Sequence, residues 1–328
     1  MKAYVIEGPH RGVVKEVPIP EPQEGELLVK VMAAGLCGTD GHIYQGEYYS
    51  SFPLIPGHEF AGIVVKTGPG VKYFREGQRV AADPNIFCGR CEFCKENIQN
   101  FCHDFQAIGV TRDGAFAEYV LVPESTAFDV GDLDFTAAAL IEPLACVVYG
   151  QKRARPVLGA HVLIFGAGPI GLLHLQLAKR NGAATVTMVD IRPERLETAR
   201  SMGADFTVIA REESERELRR LRPGGYHLVI DSTGAPSVVE RAVAFVRNAG
   251  TLLVFGVCPP NARIAVSPYE IYNHRWLRSP HTLGKILRSK RCHHSVCNQS
   301  KNHDCQREQS SQGFLICTHP KSQLKSLL

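Results

Sequence analysis

The sequence predicts an α/β chain in two parts, a strand-rich first half followed by a doubly wound parallel sheet. Three observations predict it. Residues 1–150 carry short β-branched runs punctuated by Gly and Pro, the pattern of strands and tight turns. From about residue 155, apolar strands alternate with helix-length segments, which is the rhythm of a parallel sheet covered on both faces. The length of 328 residues is large for one core, so two domains are expected. We place the domains at 1–154 and 155–277, with 278–328 as a separate tail.

The elements follow in order. Leu27-Leu28-Val29-Lys30-Val31, Gly62-Ile63-Val64-Val65, Gly77-Gln78-Arg79-Val80-Ala81 and Phe116–Val122 read as strands of the first half. A helix is expected from about Phe135 through Ala139. In the second half, His161–Phe165 is an apolar strand leading into a glycine loop and a helix. Thr185–Asp190, a helix from Pro193, the strand Phe206–Ile209 and a charged helix come next. Tyr226–Asp231, a helix from about Ser237 and Gly250–Phe255 complete five visible strands.

Bulk composition excludes several classes. Hydrophobic residues make up 44% and charged residues 21%, ordinary for a soluble globular protein. Met1–Ile6 lacks a secretory pattern. The longest apolar stretch, around Ala160–Ala178, is broken by three glycines and a proline, which opposes a membrane span. A cytoplasmic setting is expected, where eleven cysteines point to metal or catalysis before disulfides. Residues 278–328 hold nine Lys and Arg against two acids, while the rest of the chain has 28 basic and 31 acidic residues. The net charge of +4 therefore belongs to the tail, and no basic face suited to nucleic acid is expected.

Gly166-Ala167-Gly168-Pro169-Ile170-Gly171 fits G-x-G-x-x-G after a strand and before a helix. The glycines allow a tight turn, backbone approach to a pyrophosphate, and close helix–strand packing. The helix N-terminus offers free N–H groups to phosphate. Asp190, nineteen residues past Gly171, stands where an acid accepts the ribose hydroxyls and repels a 2′-phosphate. NAD is therefore favoured over NADP, although Arg192 and Arg195 lie near enough to soften the choice.

Cys88, Cys91, Cys94 and Cys102 have the spacing C-x2-C-x2-C-x7-C. Four thiolates can close around one zinc ion and leave no position for substrate, which makes the site structural. Such binding contributes on the order of 10 kcal/mol where the loop is otherwise unfolded.

Pro56-Gly57-His58-Glu59-Phe60-Ala61-Gly62 with Gly68 and Val71, the four-cysteine segment, and Gly114-Ala115-Phe116-Ala117-Glu118-Tyr119 together resemble the zinc-containing medium-chain dehydrogenase/reductase superfamily. The polyol (sorbitol or arabinitol) dehydrogenases are the subgroup it is most similar to, with threonine dehydrogenases as cousins. The resemblance runs from residue 1 to about 276. It implies a GroES-like catalytic domain joined to a Rossmann domain. It also implies two zinc ions per chain and hydride transfer from a small-molecule secondary alcohol to NAD. Under it, Cys37 and His58 would bind catalytic zinc, with Glu59 and Glu142 as direct or water-linked carboxylate partners. Thr39 would hydrogen-bond the substrate hydroxyl and His42 would pass its proton towards solvent. Gly166, Gly168, Pro169, Ile170, Gly171, Asp190 and Arg195 would form the cofactor site. A homodimer or tetramer is implied as well. L-Threonine and simple alcohols remain alternative substrate classes. A zinc-free quinone reductase of the same fold is disfavoured by Cys37, His58 and the four cysteines.

After Trp276 the sequence departs from that pattern. The family continues with a sixth strand, whereas Pro280 opposes a strand here and the composition turns to Ser, Gln, His, Lys and Cys. Low hydrophobicity with high net charge predicts disorder for 278–328. Out-of-frame translation would produce such a tail. A missing sixth strand would expose a sheet edge and remove a usual dimer contact, leaving as the competing reading a non-catalytic product that keeps zinc and nucleotide binding.

Overall fold

The computed structural model describes residues 1–259, 261–274 and 285–288. They form two compact units, one of Met1–Pro143 and one beginning at Leu144.

The first unit opens with the hairpin β1 (Lys2–Gly8) and β2 (Arg11–Glu16), followed by β3 (Glu26–Gly35), α1 (Gly38–Gln45), β4 (Glu59–Thr67) and β5 (Arg79–Ala82). Then come β6 (Asn85–Ile86), α2 (Glu92–Lys95), β7 (Gln106–Ala107), β8 (Tyr119–Pro123), β9 (Ala127–Asp129) and α3 (Phe135–Ala139). The helix α4 (Ile141–Ala154) starts in this unit and ends in the next. Five strands build one antiparallel sheet in the order β8-β3-β4-β5-β9. Leu27, Val29, Phe60, Val64, Val80 and Val122 pack its core. The apolar residues alternate along β8 (Val120 and Val122 buried, their neighbours less so), as a sheet with one covered face requires.

The second unit alternates strand and helix: β10 (His161–Phe165), α5 (Pro169–Arg180), β11 (Thr185–Asp190), α6 (Pro193–Ser201), β12 (Phe206–Ile209), α7 (Ser214–Leu221). It continues with β13 (Tyr226–Asp231), α8 (Pro236–Ala242), β14 (Val246–Val254), α9 (Pro268–His274) and β15 (Lys285–Arg288). The strands form one parallel sheet ordered β12-β11-β10-β13-β14-β15. This order reverses beside β10, which opens a crevice at the carboxyl ends of the strands for a ligand. Val162, Leu163, Ile164 and Phe165 are all buried because side chains of a covered parallel strand meet helices on either face. One face packs on α5 and α6 through Ile164, Leu175, Met188 and Leu196. The other packs through Leu163, Val189, Leu218, Val229 and Phe245.

The strands expected from the sequence stand within a few residues of their predicted places. The expectation that no sixth strand follows Trp276 is corrected: Lys285–Arg288 pairs in parallel with Thr251–Val254. Four residues are too few for a period-2 pattern to register, and β14 offers them a ready ladder of N–H and C=O groups. The other residues of 275–328, to which the expected disorder and frameshift refer, lie outside the described residues. Among the described residues no helix is long and apolar enough to cross a membrane.

Candidate active site and nucleotide pocket

Antiparallel pairing brings the scattered ligand candidates together. Gly35, at the end of β3, is paired with Glu59, at the start of β4. Cys37 lies two residues past one partner and His58 one residue before the other. The Cys37 thiol, a His58 ring nitrogen and a Glu59 carboxylate oxygen all lie within 4.8 Å of one another. His58 and Glu59 are buried and Cys37 is half-buried. The packing is tight: a Cβ added at Gly35 would fall 2.3 Å from Glu59 Oε2.

Asp40 holds this group in place, and the sequence reading missed it. It is 4% exposed. Its Oδ2 accepts from the Cys37 backbone N–H at 2.8 Å, and its Oδ1 accepts from the Gly57 N–H at 3.3 Å. Oδ1 also lies 3.5 Å from His58 Nδ1. The contact is too long or misaligned for a hydrogen bond, and the buried Nδ1 has no hydrogen-bonded partner; it is an ion pair only when the ring is protonated. One carboxylate thus ties both ligand-bearing segments. The available signal was local: an acid three residues after a helix cap reaches back to the cap N–H.

Electrostatics follow from burial and crowding. Burial pushes the His58 imidazole down, but Asp40, Cys37 and the charge of Glu142 outweigh it and hold His58 well above its ordinary value. Burial raises Glu59, against an opposing pull from His58 and Cys37. A soft thiol, an imidazole and a carboxyl converging on one point make a donor set suited to zinc once the ring is neutral.

The remaining candidates are less close. Thr39 Oγ1 is 3.7 Å from Cys37 Sγ. His42 Nδ1 lies 2.7 Å from Glu47 Oε2, and no hydrogen bond joins His42 to Thr39 among the described residues. Glu142, in the first turn of α4, stands outside the three-residue group, although its charge acts on His58.

The second group is local. Sγ atoms of Cys88, Cys91, Cys94 and Cys102 lie within 4.8 Å of one another, and all four are free thiols. The Cys88 N–H donates to Cys102 Sγ at 3.3 Å. Phe93 packs on Phe101 with ring centroids 5.9 Å apart. The thiols divide into two pairs. The His103 backbone N–H is the main influence lowering Cys91, to about 6, and the Arg90 N–H likewise lowers Cys88. Burial pushes Cys94 up to about 12 and raises Cys102. Four sulfurs this close, two of them poorly ionised alone, fit a divalent soft-metal site that would draw all four into thiolate form.

In the second unit the glycine loop joins β10 to α5. Gly166 has φ +95°, and a Cβ on Gly171 would meet Gly166 O at 1.9 Å, so only glycine lets the helix approach this closely. Gly168 is the helix cap and Pro169 the first helical residue, with Ile170 beside it. Asp190 Oδ2 accepts from the Ala167 N–H at 2.7 Å and Oδ1 from the Arg192 N–H at 2.9 Å. Arg195 Nη1 lies 3.7 Å from Asp190 Oδ2. Gly166, Gly168, Asp190, Arg195 and Ser232 line a cavity of about 330 Å³. Ser232 was also missed. Its Oγ donates to Phe165 O at 2.7 Å, tying β13 to the start of the loop. Asp231, fully buried, accepts from Thr233 N–H and Oγ1–H at 3.0 and 2.6 Å, and burial raises its carboxyl.

Residues 23–132 match the family described as alcohol dehydrogenase GroES-like domain, and residues 169–290 match the family described as zinc-binding dehydrogenase. The chain is 40% identical over 283 residues to a D-altritol 5-dehydrogenase of Agrobacterium fabrum, covering 84% of this chain and 83% of that protein. A solved zinc-binding dehydrogenase from Sinorhizobium meliloti, bound to NADP, superposes with TM-score 0.80 at 39% identity over 83% of this chain and 81% of that one. An alcohol dehydrogenase from E. coli CFT073 with NADH gives TM-score 0.78 at 34% identity, covering 84% and 81%.

Proposed function

Because the chain belongs to the zinc-binding dehydrogenase family of the alcohol dehydrogenases, we propose that it oxidises a secondary alcohol of a polyol or sugar alcohol with NAD as hydride acceptor. The observation that carries this reading is the convergence of Cys37, His58 and Glu59 within 4.8 Å, a donor set one ligand short of a closed tetrahedron. Open zinc sites of this kind serve catalysis, and closed ones serve structure. D-Altritol, the substrate named for the relative at 40% identity, supports the polyol class.

Residues 1–154 carry the metal chemistry and 155–277 the nucleotide. Cys37 and His58 would hold the catalytic zinc, with Glu59 and Glu142 as direct or water-linked carboxylate partners that leave one position open to substrate. Bound there, zinc supplies Lewis-acid polarisation of the alcohol oxygen. Thr39 Oγ1 would accept the hydrogen bond of the substrate hydroxyl and His42 would pass the released proton towards solvent, with Glu47 orienting the His42 ring through the 2.7 Å contact. Asp40 fixes the His58 ring without touching substrate. Cys88, Cys91, Cys94 and Cys102 hold a second, structural zinc. Gly166, Gly168, Pro169, Ile170 and Gly171 seat the pyrophosphate, and Asp190 accepts the ribose hydroxyls. Arg195 screens Asp190, so discrimination against NADP is partial. The enzyme works as a homodimer or tetramer in the cytoplasm.

The test is reduction of NAD and NADP by the zinc-replete protein with a panel of polyols, L-threonine and simple alcohols. The expected result is turnover on polyols with NAD preferred by about tenfold, the size of one lost charged hydrogen bond. Turnover confined to threonine or simple alcohols overturns the substrate class. Equal rates with NADP overturn the role of Asp190.

A further inference from the structure

Residues 113–116 run beside residues 55–57, the stretch that leads into His58. The Gly114 N–H donates to Ile55 O at 2.7 Å, the Ala115 N–H to Gly57 O at 2.9 Å and the Phe116 N–H to Pro56 O at 2.9 Å. In the other direction, the Ile55 N–H donates to Asp113 Oδ1 at 2.9 Å. Pro56 has no N–H to give, and Asp40 takes the N–H of Gly57. Every backbone polar group of residues 55–57 is thus paired, and only the Asp40 bond comes from outside 113–116.

The two stretches also meet backbone on backbone. Gly57 has φ +96°, and a Cβ there would lie 2.5 Å from the Phe116 ring. A Cβ on Gly109 would lie 2.4 Å from Gly57 O, and one on Gly114 2.3 Å from it. Only glycine permits such an approach. The loop that makes it is braced without Asp113. Arg112 Nη2 donates to Glu26 Oε1 at 2.8 Å, the Ala107 N–H to Thr111 Oγ1 at 2.8 Å and the Gly109 N–H to Arg112 O at 2.8 Å. Asp113 itself is exposed, so it fills no core. Its carboxylate does one visible thing, which is to hold the Ile55 N–H.

We propose that Asp113 is a positioning residue for His58, fixing the far end of the peptide from which the imidazole meets Cys37 and Glu59. The inference rests on the reading of those three residues as a metal site. Asp40 clamps the near end of that peptide at Gly57, and Asp113 clamps the other end at Ile55. A carboxylate is a stronger acceptor of an N–H than a neutral group. A ligand held in place beforehand loses less freedom when the ion binds. Asp113 touches neither metal nor substrate. Its effect is on zinc affinity at the strand-end group, and the four-cysteine group lies outside its reach because its geometry is local to residues 88–102.

The test follows zinc release from the full chain to a chromophoric chelator in the parent, C37S, D113A and D113N. C37S identifies the phase that belongs to the strand-end group. D113A is expected to weaken zinc in that phase about tenfold, the low end for groups that orient a ligand, and to leave the four-cysteine phase unchanged. D113N keeps an oxygen acceptor for the Ile55 N–H and should stay within about twofold of the parent. Hydrogen exchange at the Ile55 amide should be fast in D113A and slow in D113N. Parent-like release from D113A, equal weakening of both phases, or D113N as damaging as D113A each overturns the proposal. If D113A does not fold, D113E takes its place, since it keeps the charge and displaces the acceptor by one methylene. The same selective weakening is expected of it, and parent-like release overturns the proposal. A parent with no strand-end phase overturns the metal reading, and this inference with it. Both phases in the parent with no effect of the variant overturn the inference alone.

Discussion

The two candidate metal groups are built on opposite plans. Cys88, Cys91, Cys94 and Cys102 lie in one fifteen-residue segment, with two thiols half-buried and two buried. Cys37, His58 and Glu59 come from the ends of two paired strands, and Asp40 ties them from a third position. The first group owes its geometry to a short stretch of chain and the metal it would bind. The second owes its geometry to the whole five-stranded sheet. A local site can fold around its ion, whereas a distributed site must be preformed by the core and can leave a position open.

That contrast can be broken by substitution. The largest effect is expected for Cys37→Ser, which should cut turnover by about a thousandfold or more, since it weakens the metal at the reacting oxygen. Metal analysis should then find the zinc of the four-cysteine lobe (residues 88–102) retained, with the far-ultraviolet circular dichroism unchanged. Loss of both zinc ions would show that the two groups are not independent.

Cys94→Ser should act the other way. The expected outcome is a lower thermal midpoint and protease cleavage within residues 88–102, because removal of one ligand opens a closed site worth on the order of 10 kcal/mol to its loop. Turnover per folded molecule should change less than in Cys37→Ser. The opposite ranking would assign chemistry to the lobe.

Asp40→Asn is expected to weaken zinc at the strand-end group by about 10–100-fold while sparing the lobe, as loss of a ligand's orienting carboxylate does elsewhere. Equilibrium dialysis against a chelator measures it. Unchanged affinity would reduce Asp40 to a helix-capping residue.

Acid sharpens the comparison with the smallest effect. His58 is held above its ordinary value of 6.5 in the zinc-free protein. Its charged form therefore stabilises the zinc-free fold fully below 6.5, and that contribution fades as pH rises through the raised value. Zinc needs the neutral ring, so zinc affinity should fall as pH drops through the raised value. In the lobe the protons come from Cys94 and Cys102, and their removal governs uptake at higher pH. Zinc release followed from pH 9 to 5 should show two separate steps, and a single shared step would refute the assignment to different donor sets.

Much of this was legible without coordinates. Four of the five strands from His161 to Val254 could be read because they are largely apolar and run into a glycine or an acid, and Phe206–Ile209 could be read from its β-branched residues. The four-cysteine group could be read because its ligands lie within fifteen residues. The strand Lys285–Arg288 could not, since a four-residue edge strand takes its order from β14 rather than from its own pattern. Asp40 was passed over because an acid at a helix start is usually a cap, and Ser232 because a serine after a strand has many uses.

By itself, then, the sequence determined the alternation of strand and helix, the glycine loop, the cysteine spacing and the family signature at Gly57-His58-Glu59, all of which are local in the chain. Only the tertiary structure decided what is distant in it. The pairing of Gly35 with Glu59 set Cys37 beside His58, and Asp40 bridged their segments. The pairing of β10 with β13 placed His161 against His227. Contacts between residues far apart in sequence leave no periodic trace in either segment, because the register of one strand on another is set by packing that neither segment carries alone.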